Sequence, residues 1–213
     1  MVVLNFFKTL ITQGGFTAYL LIGAGICLVV LSLERFQYLF SKIKVLSTSS
    51  YDSLRQQILK KQYTQAIQIC NSTADVPELE VIKSGLLAVE SGREAMKSAL
   101  GATVVEIEKN CERRLSLIAL IASVATLLGL LGTISGLITT FAAIASADPA
   151  KKSELLGAGI SEAMTATATG LVIGIAAMVA HTIFVSKTDE VTAKVKKAGY
   201  QLIALVEQSE RGE

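Results

Sequence analysis

The chain has 213 residues, of which 51% are hydrophobic and 18% charged, and its mean hydropathy is +0.53. That balance excludes an ordinary water-soluble domain and indicates a membrane protein with a modest soluble part. The net charge of +2 makes no case for nucleic acid. Three cysteines (Cys27, Cys70, Cys111) without metal-ligand or paired spacing, and one histidine, His181, argue against a metal site or other cofactor. No GxxxxGK[ST] run is present, which argues against ATP as a power source.

Residues 1–15 read as a short, weakly amphipathic N-terminal segment ending at the helix-breaking pair Gly14-Gly15. The first apolar run follows, and residues 16–38 are expected to form a transmembrane helix. A signal peptide is disfavoured, because the positive charges follow the apolar run and no small-residue cleavage site closes it. Glu34 and Arg35, at its end, read as a charged anchor at the membrane edge.

Residues 39–114 carry helical patterns on a polar background. Ser47 to Ser50 is a polar break, after which Asp52 or Ser53 is placed to cap a helix bearing Leu54, Ile58 and Leu59. Tyr63 to Cys70 forms a second short helix, and Asn71 to Asp75 a loop. Pro77 suits the first turn of a third helix that ends at Ser91-Gly92. From Arg93, Met96, Leu100, Val104, Ile107 and Cys111 recur at helical spacing. That pattern predicts one unbroken helix entering the second span, with Glu106, Glu108, Lys109, Glu112, Arg113 and Arg114 as a solvated collar.

No charge interrupts Leu115 to Ala147, and the run from Leu155 to Ser186 is interrupted only by Glu162. A bilayer core about 30 Å thick needs about 20 apolar residues in helix, and lipid offers an exposed amide no partner. The reading is therefore an apolar helical hairpin, with spans at 115–147 and 157–186 and a polar turn at 148–156. Residues 187–213 continue the third helix with a stripe of Val191, Val195, Ala198, Leu202 and Val206, which a helical bundle shared among subunits would cover. The end, from Ser209, is expected to fray.

The hairpin is more than an anchor in composition. Gly132 and Gly136 form a GxxxG pair, which permits close helix packing. Thr165 and Thr169 share a helix face, where a bond back to the preceding turn is one use for each hydroxyl and a pore lining another. Thr133 and Thr167 stand equidistant in sequence from Ala150 in the turn, so an antiparallel hairpin brings two hydroxyls level. Glu162 is either a helix-start carboxylate favoured by the N-terminal dipole or an intramembrane acid that faces a pore.

Orientation follows from Lys and Arg. Arg35, Lys42, Lys44, Lys109, Arg113, Arg114, Lys187, Lys194, Lys196 and Lys197 flank one side of the spans, against Lys8, Lys151 and Lys152 on the other. The positive-inside rule then places the N-terminus and the 148–156 turn outside and the C-terminus in the cytoplasm.

Two segments carry a family resemblance. Leu128-Gly129-Leu130-Leu131-Gly132-Thr133-Ile134-Ser135-Gly136 resembles the second-span signature of the ExbB/TolQ/MotA stator proteins. Gly159-Ile160-Ser161-Glu162-Ala163-Met164-Thr165-Ala166-Thr167-Ala168-Thr169-Gly170-Leu171 resembles the third-span signature, and Ser32-Leu33-Glu34-Arg35-Phe36 the end of the first span. The chain departs from the pattern at Thr126, where the family often has proline, so a kink in the second span is not implied.

The resemblance implies an all-α integral membrane protein: three transmembrane helices, a cytoplasmic helical bundle into which the second and third helices extend, and a ring, described as a homopentamer. The ring would surround the membrane helices of a single-span ExbD/TolR-like partner dimer, which carries the proton-binding acid, with a TonB- or TolA-like protein beyond it. The implied roles are pore-facing hydroxyls for Thr133 and Thr167 and a place near the outer proton entrance for Glu162. Gly132, Gly136, Thr165 and Thr169 serve packing or the pore. The implied function is not enzymatic: it converts proton motive force into mechanical work on the cell envelope from the inner membrane. Three spans with the N-terminus outside favour the ExbB/TolQ branch. The rival readings are a MotA-like motility stator, a membrane scaffold without ion conduction, and a channel acting alone.

Overall fold

The computed structural model describes residues 15–44, 46, 48–73 and 75–211. The described residues are mostly helical and include no strand. In chain order the helices are α1 (Gly15–Phe36), continued by a π-helical stretch Gln37–Lys42, then α2 (Thr48–Leu59), α3 (Tyr63–Ser72) and α4 (Pro77–Ala88). A 3-10 turn, Val89–Ser91, leads to α5 (Arg93–Glu112), α6 (Leu115–Ala145) and α7 (Lys152–Arg211). The reading of the N-terminal segment falls mostly outside the described residues.

Among the described residues, three helical stretches are long and apolar enough to cross a membrane: Phe16–Ser41, Arg93–Ala145 and Lys152–Glu210. The second joins α5 to α6, and its apolar part is α6. The chain divides into two compact units. One holds the chain to Glu34 and Arg114–Ile183, the other Arg35–Arg113 and Phe184–Glu213.

In the first unit α6 and α7 run antiparallel, with α1 alongside. Their seam is made of small residues. A Cβ added at Gly170 would lie 2.5 Å from Ala125 O and 2.8 Å from Gly129 Cα. At Gly132 it would lie 2.7 Å from Ala166 Cβ, and at Gly136 3.2 Å from Ala163 Cβ. Large apolar side chains such as Leu127, Ile138, Phe141, Val172 and Met178 point outward, as lipid contact requires.

In the second unit α2 packs on α3, α3 on α4 and α4 on α5. The core is conventional: Leu54, Ile58, Leu79, Ile82, Met96, Leu100 and Ile107 are buried. Val191, Val195, Ala198, Leu202 and Val206 are buried as well. Part of their cover comes from the same chain. A Cβ at Gly85 of α4 would lie 2.6 Å from Leu202 and 2.7 Å from Leu100, so α4, α5 and α7 meet there.

Several boundaries also differ from expectation. Helix α2 starts at Thr48, so Asp52 and Ser53 lie inside it and not at its cap. Asn71 and Ser72, read as loop, close α3. Pro77 does open α4, and Gly92, at φ 100°, supplies the left-handed turn before α5. Helix α7 starts at Lys152, inside the predicted turn, and runs through Ser209, which is buried.

The expected unbroken helix through the membrane edge is interrupted. Arg113 has ψ 129° and Arg114 is left-handed at φ 66°. Side chains from other helices satisfy two of the orphan carbonyls that end α5. Arg35, only 3% exposed, donates to Asn110 O at 3.3 Å, and Thr188 donates to Cys111 O at 3.4 Å. Arg35 also lies over the Tyr38 ring at 5.0 Å. It is therefore a buried donor to the end of α5. In the first unit, Glu34 pairs with Arg114. A left-handed arginine costs about 1–2 kcal/mol, and the ion pair and the α6 amides bonded to Arg114 O offset it.

Candidate functional site: a hydroxyl pair in the helical hairpin

The seam between α6 and α7 holds the two threonines singled out from sequence. Thr133 Oγ1 and Thr167 Oγ1 are 3.1 Å apart. Thr133 donates to Leu130 O at 2.7 Å, and Thr167 donates across the seam to Gly129 O at 2.9 Å. Both residues are half-buried. The approach depends on glycine: a Cβ at Gly129 would lie 3.2 Å from Thr167 Cα. Gly129 thus gives the site both a close crossing and a backbone acceptor.

The other span threonines behave differently. Thr165 donates to Ser161 O and Thr169 to Thr165 O, each at 2.8 Å and each within its own helix. Thr126, Thr139, Thr140 and Thr182 bond back in the same way. Such bonds satisfy a hydroxyl in an apolar span. The structure gives both the Thr165 and Thr169 hydroxyls an acceptor within α7 and does not bring them into the Thr133–Thr167 contact. Gly132 and Gly136 line the same seam against Ala166 and Ala163.

Glu162 is half-buried on α7. Because α7 starts at Lys152, Glu162 lies about 15 Å along the helix from its first residue. Dipole stabilisation fades beyond the first turn, so the helix-start reading of Glu162 fails. It stands about 7.5 Å along the axis from Thr167. His181 is half-buried on α7, about 21 Å along the helix from Thr167.

Two contacts were not read from sequence. Thr126 faces Gly174, where a Cβ would lie 2.5 Å from its Oγ1. Thr140 fills the space beside Gly159. Thr126, Thr133 and Thr140 recur at heptad spacing on α6, opposite Gly174, Thr167 and Gly159 on α7. That recurrence was a legible signal. The α1 hydroxyl of Thr17 was not: it lies 3.2 Å from a Cβ built on Gly132, and no local pattern relates it to α6.

No group of three or more His, Cys, Asp or Glu residues that could hold a metal occurs among the described residues. Three helices among the described residues are apolar and long enough to cross a membrane, and hydroxyls gather in the glycine seam between two of them, which defines a membrane protein by class. The comparison with known families agrees. The model of the MotA/TolQ/ExbB proton channel family matches residues 73–197. The match covers more than half of the chain, and the protein belongs to that family. No curated protein sequence matches it significantly.

Proposed function

We propose that this protein is the ring-forming subunit of a proton-driven stator in the inner membrane, closest to the ExbB/TolQ branch. A pentamer encloses the membrane helices of a single-span ExbD/TolR-like partner dimer. Proton passage past the partner's acid drives rotation or rocking of that dimer, which does mechanical work on the envelope, with a TonB- or TolA-like protein downstream. One charge crossing 100 mV releases about 2.3 kcal/mol. The N-terminus and the turn around Ala150 face the periplasm, and the second unit lies in the cytoplasm.

The observation that carries this reading is the Thr133–Thr167 hydroxyl pair, 3.1 Å apart within the helical hairpin of a proton channel family member. Thr133 and Thr167 face the partner's acid, and Glu162 acts nearer the outer proton entrance. Three candidate spans support the ExbB/TolQ branch over a motility stator.

The test is the native mass of the full-length tagged chain, isolated from its own membranes in mild detergent. The expected species is a pentamer carrying two copies of a single-span protein with an acid in its helix. A functional monomer, or a ring without such a partner, overturns the proposal and favours the scaffold.

A further inference from the structure

The hydroxyl pair has fewer protons than contacts. Thr133 Oγ1 reaches Leu130 O at 2.7 Å and Thr167 Oγ1 at 3.1 Å, while Thr167 Oγ1 reaches Gly129 O at 2.9 Å. A hydroxyl has one proton to give and two lone pairs. Two protons serve three contacts, so one contact always lacks a proton. The alternatives differ only by rotation about a C–O bond.

The two threonines are not equivalent in what rotation costs. Thr167 joins α7 to the α6 backbone, whereas Thr126, Thr139, Thr140, Thr165, Thr169 and Thr182 bond within their own helices. The Thr167 bond crosses the seam where the two backbones come close, with Gly129 and Gly170 in direct approach. Turning Thr167 away gives up a tie between the two arms. Turning Thr133 away from Leu130 O gives up only a bond within α6, to a carbonyl in the helical ladder. A second acceptor, Thr167 Oγ1, is already in range.

We infer that Thr133 is the hydroxyl that turns during proton transfer, and that Thr167 is a positioning residue that holds the seam and the pair's second oxygen in place. This rests on the reading of the pair as part of the proton path. When Thr133 donates to Leu130 O, both oxygens present lone pairs to a protonated carboxyl group of the partner. When that acid releases its proton to water, Thr133 turns and donates to the carboxylate left behind. Neither hydroxyl ionises, and Thr167 keeps its bond to Gly129 throughout. One rotor thus serves both protonation states without movement of either helix.

The test uses the full-length tagged chain, isolated with its partner from its own membranes and sealed into lipid vesicles. Potential-driven proton uptake and thermal melting are read for each variant. T133V is expected to lose uptake by about a hundredfold or more at an unchanged melting temperature, and T133S to retain it. T167V is expected to lose uptake and also to melt about 2–4 °C lower, with both restored in T167S. T167V melting like the unmodified protein, T133V melting as low as T167V, or full uptake in T133V alone overturns the division of roles. Wild-type uptake in the double variant T133V,T167V overturns the proton-path reading as well.

Discussion

The two units of this chain solve the packing problem in opposite ways. In the second unit the interior is Leu, Ile, Val and Met and the surface carries the charge, with ion pairs such as Arg93–Glu207 and Lys196–Glu108 outside. In the first, the α6–α7 seam is Gly, Ala and Thr, and many Leu, Ile, Val and Phe side chains form the outer surface, although Leu21 and Ile118 are buried. Water drives large apolar groups together. Lipid gives them no such reason, so close backbone approach and hydroxyl bonds hold the hairpin. The same substitution should therefore differ in size of effect between buried and outward-facing sites.

The largest expected effect is at Gly170. A side chain there meets Ala125 O at 2.5 Å and Gly129 Cα at 2.8 Å, both backbone atoms that cannot step aside. Gly170→Val should separate α6 from α7, and folded protein should not accumulate in membranes. A Cβ placed on Gly23 meets nothing within 4 Å, so Gly23→Val should accumulate normally. Equal yields from the two variants would break the contrast between seam and outer surface.

Next is large-to-small truncation. Leu202 is 1% exposed among α4, α5 and α7. Leu202→Ala should cost about 2–5 kcal/mol in denaturant unfolding. Leu127 is 63% exposed on α6, and Leu127→Ala should cost well under half as much. Similar losses at the two sites would mean that the first unit also relies on large buried side chains.

A smaller effect concerns Cys70. Burial pushes its thiol up to about 11, against a pull downward from Lys83. The unfolded thiol releases its proton first as pH rises, so stability should decline between pH 9 and 11. Alkylation of the native protein should stay slow at pH 8 and keep accelerating to pH 10. A rate that levels off near pH 9 would show an ordinary, accessible thiol.

The smallest is Glu190, whose carboxylate is held down to about 2 by hydrogen bonds from Lys187 and Lys194. The depressed value means that its contribution is present above pH 4.5 and is lost as pH falls through 2. Because the group is fully exposed, solvent screens the interaction. Glu190→Gln should leave the neutral-pH melting temperature unchanged, and a fall of several degrees would mark the second unit's surface charges as structural.

Much of this fold was legible because its signals are local and periodic. Apolar run lengths marked three span-length helices, Pro77 and Gly92 punctuated the second unit, and the stripe from Val191 to Val206 marked a buried face. The missed features involve partners distant in sequence. The break at Arg113–Arg114 lies within an unbroken helical pattern, and its donors Arg35 and Thr188 come from other helices. The start of α7 at Lys152 was hidden by the polar composition of its first turn.

By itself the sequence determined the helical class, the lipid-facing runs and the level placement of Thr133 and Thr167, because each follows from run length, period and symmetry about a turn. Only the tertiary structure decided which hydroxyl bonds across the seam. Thr133, Thr165, Thr167 and Thr169 are chemically alike. What separates them is whether a glycine on the facing helix lets a carbonyl come within hydrogen-bonding distance, as Gly129 does for Thr167.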